Sequence, residues 1–405
     1  MAGAGPDPRP VIDWLIRQAL LATSTDSLLP GCAERVAAMG IPVVRAHLSA
    51  TTLHPQFEAV SLSWLRDAGV ETVAHEHGTS DEAPWQRSPL RQIAIGETDE
   101  VRLSLAGSDV DVERYPILAD FVALGGTDYI ALGTAFGIDG KPPSSARTGV
   151  LSSWVTDRPG GFTGADIAAL RSIQPAISAA ARVALNLEIA RTVMATYLGP
   201  DAGSRVLQGE IRRGDVQVID AAILFADLRG FTALSDSANR AELASTLNAY
   251  LQAMAEPVAG HGGQVLKFLG DGMLASFALD GQAPAPVCAR ALAAARQALA
   301  DTSALNAERA KAGEPVMSLD IALHLGDVLY GNVGSSSRLD FTVIGPAVNA
   351  ASRIEALCGE LDCPLLISGA FAAAAGPDAG LRPLGRHPLR GIRQPQELFT
   401  ADLAG

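Results

Sequence analysis

Apolar residues recur at helical spacing from Val11 to Thr23, where Ile12, Leu15, Ala19 and Ala22 share one face. A second helix is predicted over Leu29–Met39. The pattern then shortens and alternates, predicting strands at Pro42–Leu48, Val60–Leu65, Val70–Ala74 and Val101–Leu105. Arg114–Leu124 reads as helix, Gly125-Gly126 breaks it, and strands follow at Tyr129–Gly133 and Gly149–Val155. This is an α+β pattern built on an antiparallel sheet.

The longest periodic stretch comes next. Thr163 is placed to cap it, with Asp166 three residues on as a near capping box. Leu170, Ile173, Ile177, Ala180, Ala184, Leu187, Met194 and Leu198 then recur at heptad spacing, with Arg191 the one charge on the stripe. Pro175 is expected to kink or restart the helix. The stripe predicts a parallel coiled coil over 163–198; a helix packed on its own domain is the other reading. Gly199–Asp215, with four glycines and one proline, reads as a connector. The run Gly161-Phe162-Thr163-x-x-Asp166, between a strand and a long helix, resembles the end of a GAF domain. The resemblance implies a sensor of a small molecule or partner in residues 1–162, a signalling helix in 163–198, a connector in 199–215 and a second globular domain in 216–405. The cyclic-nucleotide motif usual in that family is not evident, and the effector is not legible.

Composition narrows the choices. The 405 residues carry a net charge of -13, with 48% hydrophobic and 19% charged residues. That excludes disorder throughout and disfavours nucleic acid as a partner. No apolar run reaches the ~18–20 residues of a membrane span, and no leader pattern opens the chain, so a cytoplasmic protein is expected. Cys32, Cys288, Cys358 and Cys363 form no disulfide framework, and C-x4-C without a nearby His is a weak zinc pattern. His47 and His54 could be offered as haem ligands, but structural roles are expected for them, as for His261 and His324.

Three blocks of the second half carry chemistry. An apolar strand, Ile219–Phe225, delivers Asp227 just before the turn Leu228-Arg229-Gly230-Phe231-Thr232. A strand-end carboxylate before a Gly turn can hold a cation while backbone N–H groups face phosphate oxygens. After a helix over Ala241–Ala259 and the stop at His261-Gly262-Gly263, a hairpin of Gln264–Phe268 and Gly272–Phe277 carries Asp271 in its turn. The hairpin can bring Asp271 beside Asp227, so that two carboxylates share two divalent ions. Lys267 and Asp271 can then reach different parts of one ligand. The third block is a strand containing Thr342, a Gly345-Pro346 break and a helix. Asn349 and Arg353 stand at i and i+4 on one face of it, an amide and a planar cation suited to ribose and phosphate. Each block alone has an ordinary structural reading.

Taken in order, the motifs resemble a class III nucleotidyl cyclase catalytic domain: Phe225-x-Asp227-x-x-Gly230-Phe231-Thr232, Lys267-x-x-Gly270-Asp271, and Thr342-x-x-Gly345-x-x-Val348-Asn349-x-x-Ser352-Arg353. The resemblance spans Val216 to Leu403. It implies a ferredoxin-like βαββαβ core in a head-to-tail homodimer, with two sites built by both chains. It implies an adenylate cyclase that converts ATP to 3',5'-cyclic AMP and pyrophosphate. Two Mg2+ or Mn2+ ions would sit on Asp227 and Asp271, with Leu228 in the metal set. Asn349 and Arg353 from the partner chain would act on ribose and α-phosphate, and Lys267 and Thr342 on the adenine edge. Gly230, Phe231, Thr232 and Arg390 would face phosphate, with Arg393 a competitor for the last place. Guanylate-specific relatives typically have an acidic residue where Lys267 lies, and only three of the 31 basic residues here are lysine. A guanylate cyclase and a silent nucleotide-binding module are the alternatives. Thr342 also implies bicarbonate as a candidate effector at the catalytic domain.

Overall fold

The computed structural model describes residues 5–51, 57–76, 78, 82–107, 110–137, 149–231, 234–235 and 239–402. The chain divides into two compact units, 1–193 and 194–405. The division falls inside the helix Gly164–Leu198.

The first unit is a six-stranded sheet, every pair antiparallel, made of β1 (Arg45–Thr51), β2 (Phe57–Leu65), β3 (Gly69–Glu76), β4 (Glu100–Ser104), β5 (Asp128–Ala135) and β6 (Gly149–Thr156), ordered β3-β2-β1-β6-β5-β4. The expected elements are present with ends shifted by a few residues. Helices Arg9–Leu20 and Thr25–Ala38 pack Val11, Leu15, Leu28 and Val36 on one sheet face, with Trp154 of β6 beneath. Short helices Ala83–Gln86 and Pro89–Ala94, not anticipated from the pattern, and Ile117–Ala123 lie in the first unit as well. Leu90, Ile93, Leu118 and Phe121 from the latter two pack in a second core with Tyr129.

The long helix corrects two expectations. Its capping box forms: Thr163 N–H donates to Asp166 Oδ2 at 2.8 Å, and Asp166 N–H to Thr163 Oγ1 at 3.2 Å. The helix does not restart at Pro175 but continues through it to Leu198. An interior proline costs about 3 kcal/mol. Leu170, Ile173 and Ile177 on either side are fully buried in the unit's own core, at roughly 1.5–3 kcal/mol each. That outweighs the lost hydrogen bond. The same burial shortens the expected coiled-coil seam. Leu170, Ile173, Ile177, Ala180 and Ala184 already cover their own unit and cannot also face a partner helix. Only Leu187, Met194 and Leu198 of that stripe remain partly exposed.

The connector is also corrected. Pro200–Leu207 is a helix, and Ala202 is buried with Ile223, Tyr330 and Phe341 of the second unit. Asn332 Nδ2 donates to the Glu210 carbonyl at 2.7 Å, tying the following turn to the sheet. Glycine count alone hid this because Gly203 serves close packing: a Cβ there would lie 2.8 Å from the Met194 backbone.

The second unit has β7 (Val216–Arg229), β8 (Gln264–Leu269), β9 (Gly272–Ala278), β10 (Ser318–Gly334), β11 (Leu339–Ile344), β12 (Leu365–Ser368), β13 (Leu381–His387) and β14 (Gln396–Ala401). The sheet order is β13-β14-β12-β10-β7-β9-β8, with β11 on β10. Strands β7, β8, β9 and β10, with helices Arg240–Gly260 and Pro284–Lys311 between them, form a ferredoxin-like βαββαβ core in the order β10-β7-β9-β8. Those helices bury Tyr250, Met254, Val287 and Cys288 with Leu224 and Phe277. A separate cluster brings Phe341 and Val343 of β11 together with Leu274 and Leu266, so the β10–β11 hairpin returns over the sheet.

Candidate active site

Asp227 sits where β7 has just left the core. Its neighbours Ala226 and Leu228 are buried, while Asp227 itself is half-buried on the alternate face. Pairing of β7 with β9 ends at Ala226 opposite Met273, which sets Asp227 against Gly272. A Cβ at Gly272 would lie 2.7 Å from Asp227 Oδ1. Only glycine permits that approach. Gly270, at φ +70°, turns the hairpin so that Asp271 follows directly. The expected pairing of Asp227 with Asp271 is thus brought about by the β7–β9 register.

The electrostatics follow. Burial, then the Asp271 charge, pushes the Asp227 carboxyl up to about 6, against a Leu228 backbone hydrogen bond that lowers it. Asp320, opposite Asp227 on β10, adds a further upward push. Arg229 holds Asp320 in a fork, with Nη2–Oδ1 at 2.6 Å and Nε–Oδ2 at 3.0 Å. Glu355 is raised to about 7, first by burial and then by Asp227 and Asp320, with Arg229 opposing. Gly272, Arg229, Asp320 and Glu355 were not anticipated. Their part depends on strand pairing and packing that no local motif encodes.

The donor set fits a divalent cation. Neighbouring carboxylates repel one another, and oxygen ligands suit Mg2+ or Mn2+. Among the described residues no three His, Cys, Asp or Glu side chains are arranged to enclose an ion. One or two carboxylates plus substrate phosphates is the usual Mg2+ arrangement.

The other predicted residues form separate clusters. Lys267 Nζ donates to the Asp340 carboxylate in an ion pair. Asp340 and Thr342 are two apart on β11 and share a face, which brings Lys267 beside Thr342. Asp340 was not anticipated. Among the described residues no hydrogen bond or ion pair joins Lys267 or Thr342 to Asp227, Asp271, Asp320 or Glu355. Gly345-Pro346 starts the helix Pro346–Glu355, which buries Ala347, Ala351 and Ile354 and leaves Asn349 exposed and Arg353 half-buried. A Cβ at Gly391 would lie 3.7 Å from Arg353 Nη2, so the Arg390-Gly391 turn rests against that guanidinium. Arg390 and Arg393 are both exposed. Gly230, at φ +100°, makes the turn after β7, and Phe231 packs on the core. Thr232 lies outside the described residues, as does His54. His261 Nδ1 lies 2.8 Å from the Pro257 carbonyl, and burial lowers the His324 pKa.

Comparison with known proteins bears on the second unit. Residues 216–364 match the family model of the adenylate and guanylate cyclase catalytic domain. An adenylate cyclase of Anabaena cylindrica is 41% identical over 150 residues, covering 36% of this chain and 29% of the relative. Adenylate cyclase 1 of Rhizobium meliloti is 31% identical over 175 residues, covering 42% and 26%. The chain thus spans under a third of the length of these relatives. A bacterial light-regulated adenylyl cyclase structure matches with a TM-score of 0.48 and 25% identity over 57% of this chain and 65% of that one. An adenylyl cyclase from P. aeruginosa matches at 0.40 and 26%, over 46% and 96%. No helix among the described residues is long and apolar enough to cross a membrane. The motif order, the Asp227–Asp271 juxtaposition and the family match agree: residues 216–364 are an adenylate and guanylate cyclase catalytic domain.

Proposed function

We propose that the protein is an adenylate cyclase that converts ATP to 3',5'-cyclic AMP and pyrophosphate in the cytoplasm. The observation that carries this reading is the paired carboxylates Asp227 and Asp271 within the matched domain. Asp227 and Asp271, with the Leu228 backbone, hold the cations. Two Mg2+ or Mn2+ ions bound there would make the ribose 3'-hydroxyl a better nucleophile and offset the triphosphate charge. Arg353 stabilises the charge that grows on the α-phosphate, and Asn349 orients the ribose. Gly230, Phe231, Thr232 and Arg390 face the phosphates. Lys267 donates to the adenine ring nitrogen, Thr342 accepts from the exocyclic amine, and Asp340 steadies the lysine. Guanine presents the reverse pattern at both positions.

The sites are completed in a homodimer, where one chain supplies the carboxylates and its partner supplies Lys267, Thr342, Asn349 and Arg353. Residues 1–162 act as a GAF-like sensor of a small effector, an assignment supported by the six-stranded antiparallel sheet. The helix Gly164–Leu198 passes the signal, with bicarbonate as a second effector at the catalytic domain. The test is cyclic nucleotide output from purified protein given equal ATP and GTP with Mg2+ or Mn2+, beside Asp227→Ala. Cyclic AMP from the parent and none from the variant is expected; cyclic GMP, or no product, rejects the reading. Removal of residues 1–162 should change the rate and leave nucleotide choice intact. An unchanged rate rejects the sensor. A flat rate across bicarbonate concentrations at fixed pH rejects that effector.

A further inference from the structure

The first unit contains a cavity of about 730 Å³ between its sheet and the short helices after β3. That is the size of a site for a small organic ligand. Arg45 of β1 lines it. Its Nη2 donates to Ser63 Oγ at 2.9 Å and lies 3.3 Å from His47 Nδ1, and its Nη1 donates to Ser153 Oγ at 3.4 Å. Its guanidinium carbon stands 4.8 Å from the centre of the Phe121 ring. Every one of these partners is neutral. His47 cannot offset the charge: burial, then Arg45 itself, holds its pKa down at about 3.

An enclosed arginine ordinarily has a carboxylate partner, because an unpaired charge out of water is costly. Glu58, Glu82 and Asp99 line the same cavity, yet none forms an ion pair with Arg45. Desolvation is the leading influence on the guanidinium, opposed by Tyr129 and by the Asp120 charge, which forms no hydrogen bond or ion pair with it. Its Nε–H has no acceptor among the described residues. Trp85, Leu90, Ile93 and Leu151 give the cavity apolar walls, beside polar ones that include Arg91, His75 and Gln86. A planar fork facing a chamber with apolar walls matches a carboxylate carried on an apolar ring, since the carboxylate offsets the Arg45 charge and accepts two parallel hydrogen bonds.

We propose that this cavity binds a small organic monocarboxylate with a ring-sized apolar body, its acid group seated on Arg45. The proposal names the effector class of the sensor reading, and rests on that reading only for its effect on catalysis. The experiment is calorimetric titration of the full chain with benzoate, 2-naphthoate and indole-3-acetate, each beside the alcohol that replaces its carboxylate. At least one acid should bind, about tenfold or more tighter than its alcohol. Arg45→Met should bring that acid down to the level of the alcohol. Ser63→Asp places a carboxylate against Nη2 from outside the lining, so it should also abolish the preference, with a native circular dichroism melt. If Arg45→Met fails to fold, Ser63→Asp decides alone. Equal affinity for acid and alcohol overturns the proposal. So does an acid preference that survives the folded variants, or absence of binding by all three acids at millimolar concentration. An acid that binds through Arg45 yet leaves cyclic AMP output unchanged would leave the site standing and reject the sensor reading.

Discussion

Among the described residues of 1–193, Arg45 is an enclosed cation with no ion-pair partner, ringed by serines, a neutral histidine and an aromatic face. In residues 194–405 the enclosed groups are carboxylates, Asp227, Asp320 and Glu355 beside Asp271, with Arg229 forked onto only one of them. Both arrangements cost stability. In the readings proposed above, each would be completed by a ligand of opposite sign: an organic acid in the first unit, divalent cations with a nucleotide in the second. The difference teaches that the site of each unit is read from the charge it leaves unbalanced. Net charge, at -13 for the chain, conceals the cationic one.

The largest effect is expected at the site that the proposed homodimer shares between its chains. Asp227→Ala and Arg353→Ala should each lower cyclic AMP output by about 10³-fold or more. A mixture of the two should recover about a quarter of the parent rate, because half of randomly paired dimers keep one intact site. No recovery on mixing would mean that each chain builds its own site. Next comes Gly272→Ala, whose new Cβ would meet Asp227 Oδ1 at 2.7 Å and the Ala226 carbonyl at 3.0 Å. Metal affinity should fall about tenfold or more, with a stability cost of about 1–3 kcal/mol; metal titration and denaturant melts separate the two. Lys267→Glu should then move the ATP-to-GTP preference toward GTP by about 10–100-fold in kcat/KM. Asp340→Ala, in the same competition assay, should weaken the choice without reversing it.

The smallest effect is a contrast in pH dependence. His47 stays neutral when folded, with its pKa at about 3 against a usual 6.5. Between those values the unfolded chain binds the extra proton, so this contribution is present above about pH 6.5 and is lost as pH falls. Asp227 and Glu355 are raised to about 6 and about 7 from 3.8 and 4.5. Here the folded state binds the extra protons, so the metal-free catalytic unit gains stability as pH falls from about 7 toward 4. Melts of metal-free protein at pH 5 and pH 7.5 should move these contributions in opposite directions. Asp227→Asn should raise the catalytic unit's Tm at pH 7.5 by about 2–4 °C, the shift expected for roughly 1 kcal/mol in a unit of this size. A parallel shift of both units, unaltered by His47→Gln and Asp227→Asn, would break the contrast.

Much of this was legible beforehand, and the exceptions have physical causes. The Thr163–Asp166 box, the hairpin around Asp271 and the Gly345-Pro346 helix start are local, set within a few residues by sterics and hydrogen bonds. The heptad stripe misled because a coiled-coil seam and a helix lying on its own sheet call for the same apolar spacing. The segment 199–215 misled because glycine marks close packing as well as turns. Arg45 gave no signal at all: its chemistry lies in which residues fail to reach it.

Most element types, the motif order and the places of Asp227, Asp271, Lys267, Asn349 and Arg353 within it were legible in the chain alone, because φ/ψ preference and side-chain period act between near neighbours. Only tertiary structure decided that Gly272 yields to Asp227, that Asp320 stands across from it, that half the helical stripe is spent on its own core, and that no carboxylate of its chamber forms an ion pair with Arg45. Those outcomes depend on strand register and on which faces are buried together, and residues far apart in sequence settle them jointly.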